Sequence, residues 1–212
     1  MKKIYFIRHG ESQGNVGNAW QGPHGSLTQK GRSQAASVAE RMRTIPFSAL
    51  ISSPFERAKE TAEAIVAQVG KEIEFSELFV ERRRPTELIG VARNDPRSLE
   101  VDAQINMNFG TSGWRHSDEE NFEDMMARAK AALTYLAEHS QDEIAVVTHG
   151  FFMRVMLAAA LAGENLTPEL CEHFLVSFRT ANTGISLLMY DEKAPRSWWL
   201  WTWNDHAHLM GK

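Results

Sequence analysis

Two stretches far apart in the chain share one form. Lys3 to Gly10 reads KIYFIRHG and Glu143 to Gly150 reads EIAVVTHG. Each is a short run rich in β-branched or aromatic residues that ends in His-Gly, as a buried strand followed by a turn or helix would. Such runs, apolar on both faces, belong to parallel sheets covered on both sides. The segments between them are consistent with that. Thr28 is placed to cap a helix to about Arg43, with Ala35, Val38, Ala39 and Met42 on one face. Ala49-Leu50-Ile51 is a second strand. Ser53-Pro54-Phe55-Glu56 reads as a capping box opening a helix that Gly70 stops, and Glu72 to Phe75 is a third strand. Ser117 to Glu120 reads as a second capping box, opening a helix to about His139. Phe151 to Leu161 and a short segment after Thr167-Pro168 are further helices, and 184–190 and 198–203 pair as an antiparallel hairpin.

The expected architecture is therefore α/β. It is a three-layer sandwich with a mainly parallel central sheet flanked by helices and one antiparallel edge strand. At 212 residues the chain is expected to form a single domain over 1–212. Its least regular part, at about 76–116, carries Pro85, Gly90, Pro96, Gly110 and Gly113. Short helices are expected near 85–91 and 96–104, and an irregular segment of this length suits a functional cap over a pocket.

Several function classes fit poorly. The net charge of −4 lacks the basic excess of a nucleic-acid binder. The longest apolar stretch, 151–162, contains Arg154 and falls short of the roughly 20 residues of a membrane span. The run Ile4 to Ile7 is too short for a signal-peptide core. One cysteine, Cys171, excludes an internal disulfide and suits a cytoplasmic location. Asp205, His206 and His208 lack a further mapped ligand, so no metal and no cofactor is expected. The alternating Trp198, Trp199, Trp201 and Trp203 read as strand packing, with a homodimer contact as the other use.

In open α/β sheets, ligands bind beyond the carboxyl ends of the strands. There the chain places Arg8, His9 and Gly10, then Ser52, Ser53 and Arg57, then His149 and Gly150. Glycine permits close backbone approach. A guanidinium matches phosphate oxygens, and a neutral histidine attacks phosphorus when its second ring nitrogen is fixed by a hydrogen bond. Two guanidiniums neutralise the transferring group without an obligatory metal. An acid for the leaving oxygen would come from Glu77, Glu81 or Glu87.

These motifs, with RHGES followed by Asn15, LTQKGRSQA at 27–35, SSPFERAKETA at 52–62, VTHG at 147–150, TANTGIS at 180–186 and NDHAHL at 204–209, resemble the histidine phosphatase superfamily in its phosphoglycerate mutase-like branch. The resemblance spans nearly the whole chain in order. It implies that His9 takes the phosphoryl group as phosphohistidine, that Arg8, Arg57 and His149 hold its oxygens, and that Glu81 donates the proton, with Glu87 as the alternative. It places Asn15 at the phosphate or substrate. Read from the residues alone, Gly10 and Gly150 let the backbone close on that ligand, and the run Arg82-Arg83-Arg84, Arg82 and Arg83 foremost, offers cations to an anionic substrate. The chain departs from relatives at His24-Gly25-Ser26, and RRRPTELIG stands where many phosphatases carry Gly-x-Trp-Glu-Gly. The mutases' longer insertion has no counterpart in 90–116, which favours hydrolysis over mutase transfer. The expected partner is a small phosphorylated substrate or a phosphoprotein. A phosphoglycerate-type mutase and a phospho-ligand-binding module without turnover are the alternatives.

Overall fold

The computed structural model describes residues 1–210. Six strands form one sheet: β1 (Lys2–Arg8), β2 (Ala49–Ser52), β3 (Ile73–Phe75), β4 (Glu143–Thr148), β5 (Ile185–Tyr190) and β6 (Trp198–Asp205), in the order β3-β2-β4-β1-β5-β6. The pairs β3–β2, β2–β4 and β4–β1 are parallel, while β5 runs against both β1 and β6. The expected antiparallel edge is this final hairpin.

The two-faced apolar character of the strands explains the layers. Ile4 and Phe6 of β1 and Ile144 and Val146 of β4 face one side, where they pack with α5 (Phe122–Glu138), α6 (Gly150–Ala162) and α7 (Pro168–Ser177). Tyr5, Ile7, Ala145 and Val147 face the other, against α2 (Gln29–Met42) and α3 (Glu56–Val69). A one-residue register slip would exchange these faces, but with both apolar the slip is opposed mainly by the strand ends. Those ends are level, because Arg8 pairs with Thr148 and Ser52 with Val147. The three carboxyl termini therefore open onto one crevice.

Helix boundaries follow local capping, with two corrections. Thr28 accepts from Gly31 N–H at 2.9 Å, and Gly70 ends α3 at φ 69°, as expected. Ser53, however, opens no capping box. Its N–H already bonds Val147 O in the sheet at 3.0 Å, so Glu56 has no free donor to reach back to, and α3 begins at Glu56. Likewise α5 starts at Phe122 rather than after Ser117. Glu119 and Glu120 are committed elsewhere, and the reciprocal pair is Asn121 with Asp124, at 2.9 and 3.1 Å. Between them, the irregular segment holds two 3-10 turns, Glu77–Phe79 and Thr86–Leu88, and α4 (Pro96–Met107), while α1 (Gln13–Val16) is one turn after the first His-Gly.

Candidate active site

The level strand ends set His9 beside His149. His9 N–H donates to Thr148 O at 3.0 Å, and the two ring centroids lie 5.1 Å apart. Nδ1 of His9 is 2.6 Å from Gly10 O. A carbonyl only accepts, so Nδ1 carries the hydrogen and Nε2 keeps its lone pair. That lone pair accepts from Arg57 Nε at 3.3 Å. His9 is 3% exposed, and burial, then Arg57, then Arg8, hold its protonation well below the ordinary histidine value. The ring is thus neutral, oriented and able to attack.

His149 is fully buried, with Nε2 2.8 Å from Ser53 Oγ and Nδ1 without a hydrogen-bond partner among the described residues. Burial first, then Arg57 and His9, keep it neutral too. Arg8 donates from Nη1 to Thr180 O at 2.6 Å, while its buried Nε has no acceptor. Arg57 reaches Gly22 O at 3.0 Å, and burial lowers its ionisation to about 10, still far above neutrality, so it remains a cation.

The glycines make room for protein more than for ligand. A Cβ on Gly10 would lie 2.6 Å from Gly31 O, and one on Gly31 would lie 1.9 Å from Glu11 O, so this pair lets the strand exit lie against the start of α2. A Cβ on Gly150 would meet Arg8 Nε at 3.0 Å, so that glycine lets Arg8 cross the start of α6.

These groups border a cavity of about 440 Å³. Arg8, His9, Asn15, Arg57, Glu81, Arg82 and Gly150 line it; Gly10, Arg83 and His149 do not. His149 packs against His9, and Arg83 faces a neighbouring cavity, 3.5 Å from Glu77. Among the described residues, Glu81 is the one acidic residue in the lining. Its carboxylate accepts from Phe152 N–H at 3.0 Å, Phe151 N–H at 3.2 Å and Arg82 N–H at 3.0 Å, so it also caps α6. Glu87 is outside the lining, tied to Arg97 and to His116 at 2.9 Å. The Glu81 segment is held by Arg128, which donates to Leu78 O and Val80 O at 3.2 and 2.8 Å and pairs with Glu120 at 2.7 Å. Asn15 Oδ1 accepts from Asn182, whose amide also donates to His9 O at 3.0 Å.

The lining also contains residues that sequence reasoning did not single out, among them Arg93, Arg154, Arg179, Trp20 and Gln21. Seven arginines face the cavity: Arg8, Arg57, Arg82, Arg84, Arg93, Arg154 and Arg179. Arg154 had left a signal, as the lone charge in an apolar helix. Arg93, Trp20 and Gln21 left none, because only the fold brings their loops to the site. The cavity is thus strongly cationic in a chain whose net charge is −4. Among the described residues, no three His, Cys, Asp or Glu side chains are grouped to hold a metal.

Comparison with known proteins gives the family. The profile of the histidine phosphatase superfamily (branch 1) matches residues 4–206. The chain belongs to this superfamily. Among histidine phosphatase relatives, a probable phosphoglycerate mutase GpmB of Citrobacter koseri is 32% identical, over 99% of this chain and 95% of its own. The solved phosphoserine phosphatase of Entamoeba histolytica, in complex with phosphoserine, is 25% identical, with a TM-score of 0.77 over 99% of this chain and all of its own. A mycobacterial glucosyl-3-phosphoglycerate phosphatase shares the fold at 21% identity and a TM-score of 0.75, over 96% of this chain and 99% of its own. No helix among the described residues is long and apolar enough to cross a membrane.

Proposed function

We propose that this histidine phosphatase is a metal-independent phosphomonoester hydrolase working through a phosphohistidine on His9. The observation that carries the reading is the fixed tautomer, which leaves the Nε2 lone pair of a neutral His9 beside Arg57 at a cationic cavity. In the first step Nε2 attacks phosphorus, the P–N bond forms and the P–O bond to the leaving alcohol breaks. Glu81 gives that oxygen its proton. In the second step water attacks phosphorus, its proton passes to Glu81, the P–N bond breaks and inorganic phosphate leaves. Arg8 and Arg57 neutralise the three phosphoryl oxygens, with Arg57 Nε exchanging His9 for an oxygen, and the unpartnered Nδ1 of His149 is available to the same group. Asn15 adds a polar contact, and the segment 76–116 serves as the substrate cap.

Glu81 is preferred over Glu87 because Glu81 alone of the two lines the cavity. The buried Cys171, its thiol pushed up to about 12, is inert and fits the cytoplasm. A mutase reading is favoured by the name of the Citrobacter koseri relative. It requires the phosphoryl group to return to a second hydroxyl of the substrate instead of water.

Hydrolysis of an aryl phosphate with EDTA present, comparing wild type with His9→Ala, tests the proposal. EDTA-resistant turnover that disappears in the variant is expected. Turnover lost on chelation contradicts it. Phosphate shuttling on phosphoglycerate without phosphate release would favour the mutase.

A further inference from the structure

Two motifs that the phosphoryl chemistry leaves unused, TANTGIS at 180–186 and NDHAHL at 204–209, meet beside the first His-Gly turn. The strap 180–184 grips that turn from several sides. Thr180 O accepts from Arg8 Nη1 at 2.6 Å, Thr183 N–H donates to Arg8 O at 2.9 Å, and Asn182 Nδ2 donates to His9 O at 3.0 Å. The same Asn182 amide reaches Asn15 Oδ1 at 3.1 Å. The end of β6 and the turn after it brace the strap. Asn204 Oδ1 accepts from Ala181 N–H at 2.7 Å, and His208 Nε2 lies 3.1 Å from Thr183 Oγ1. Thr183 and Asn204 hold φ of 59° and 55°, in the left-handed region. Asparagine visits it readily, but a β-branched threonine does not, and such strain persists only where the surroundings over-determine it. Here the strained residue is the one whose N–H holds the backbone just before the nucleophile.

The polarity of these bonds is fixed by chemistry. A carbonyl only accepts, so the Asn182 atom at His9 O is its NH2 group. The atom that meets Asn15 is therefore a donor too. Ser12 N–H also donates to Asn15 Oδ1, at 3.0 Å. With both lone pairs of Oδ1 filled, the Asn15 amide is oriented in turn, and its Nδ2 is left to donate into the cavity that Asn15 lines. Asn182 does not line that cavity.

We propose that Asn182 is a positioning residue for phosphoryl transfer. Its amide ties the carbonyl of the nucleophile to Asn15 and holds the Asn15 Nδ2 toward the phosphoryl oxygens, so that attacking atom and donor keep one spacing. Asn182 acts through Asn15 and His9 and touches no substrate itself. The inference rests on the phosphatase reading for the identity of the group that Asn15 meets.

The test is a double-mutant cycle on kcat/KM for phosphate release from nitrophenyl phosphate, with folding checked by urea unfolding. Asn182→Asp keeps the shape but replaces the donor with a carboxylate, which faces two acceptors, His9 O and Asn15 Oδ1. The Asn15 amide then turns its Nδ2 to the carboxylate and its Oδ1 to the phosphoryl oxygens. Asn182→Asp should lower kcat/KM by about 10-fold or more, as losing a hydrogen bond to a charged group does. In an Asn15→Ala background the same substitution should cost at least about 3-fold less, because no amide remains to be turned. A strap that only supports the fold would displace Arg8 and His9 alike in both backgrounds. A difference between backgrounds smaller than about 3-fold therefore overturns the assignment. So does Asn182→Asp with wild-type kcat/KM. If Asn182→Asp does not fold, Asn182→Ala enters the same cycle with the same limit. If wild type releases no phosphate, the phosphatase reading fails separately. The cycle is then run on the affinity for inorganic phosphate, measured by calorimetric titration, and the same limit upholds or overturns the role of Asn182.

Discussion

Two neutral imidazoles packed 5.1 Å apart beneath a set of arginines should make the fold sensitive to mild acid. His9 and His149 are 3% and 0% exposed, and both are held well below the ordinary histidine value of 6.5, first by burial and then by Arg57. The unfolded chain binds protons at these sites below that value and the folded chain does not. Stability is therefore fully present above about pH 6.5 and is lost as pH falls below it. Between pH 7.5 and 5.5 a group with these properties costs about 1.4 kcal/mol, so the pair costs about 2.7 kcal/mol. That is a large fraction of the 5 to 15 kcal/mol of a typical domain. The carboxylates held low here, such as Glu11, Asp118 and Asp124, titrate below this window. Urea unfolding at constant ionic strength across the window gives the slope in wild type and in a His9→Asn/His149→Asn variant. The variant should lose less over the window, by about the amount assigned to the pair. An identical loss in both proteins would refute the neutral, buried assignment on which the nucleophile argument depends.

Three further outcomes are expected from the same geometry. Gly31→Ala places a Cβ 1.9 Å from Glu11 O, a backbone atom that cannot yield cheaply, and should destabilise by about 1–3 kcal/mol in urea melts while lowering kcat through the displaced His9 loop. Arg128→Met leaves Glu120 buried and unpaired and should cost about 3–5 kcal/mol by the same assay. Glu81→Gln should slow alkyl esters by about 10²–10⁴-fold but nitrophenyl phosphate far less, because a good leaving group needs no proton. Equal losses on both ester types would assign Glu81 to capping α6 alone.

How much of this was legible in the sequence depended on whether the signal was local. The strands and the two His-Gly turns were readable because a buried parallel strand must be apolar on both faces, and polar residues just past its end stand out. Arg57 was placed by its position in the first turn of the helix after β2. The cap assignments at Ser53 and Ser117 failed because capping needs free donors and carboxylates. The strand ladder had taken the Ser53 N–H, and Arg128 had taken Glu120. Both are long-range facts. The part of the cavity lined by Trp20 and Arg93 was illegible for the same reason. Arg93 and Trp20 lie in irregular segments, and only the bridge between 18–20 and 89–93 gives them a shared surface. Arg83 shows the converse: its place in the Arg82-Arg83-Arg84 run suggested a ligand contact, but its side chain pairs with Glu77 over a neighbouring cavity.

The central claim is that His9 Nε2 becomes covalently bonded to phosphorus. The direct measurement is intact-protein and peptide mass spectrometry after alkaline quenching of a single turnover, since a P–N bond survives base and is lost in acid. The account predicts a phosphoryl adduct on the peptide containing His9, absent in His9→Ala and discharged by water on chase. Turnover in wild type with no adduct at any quench time, or an adduct on another residue, would contradict it.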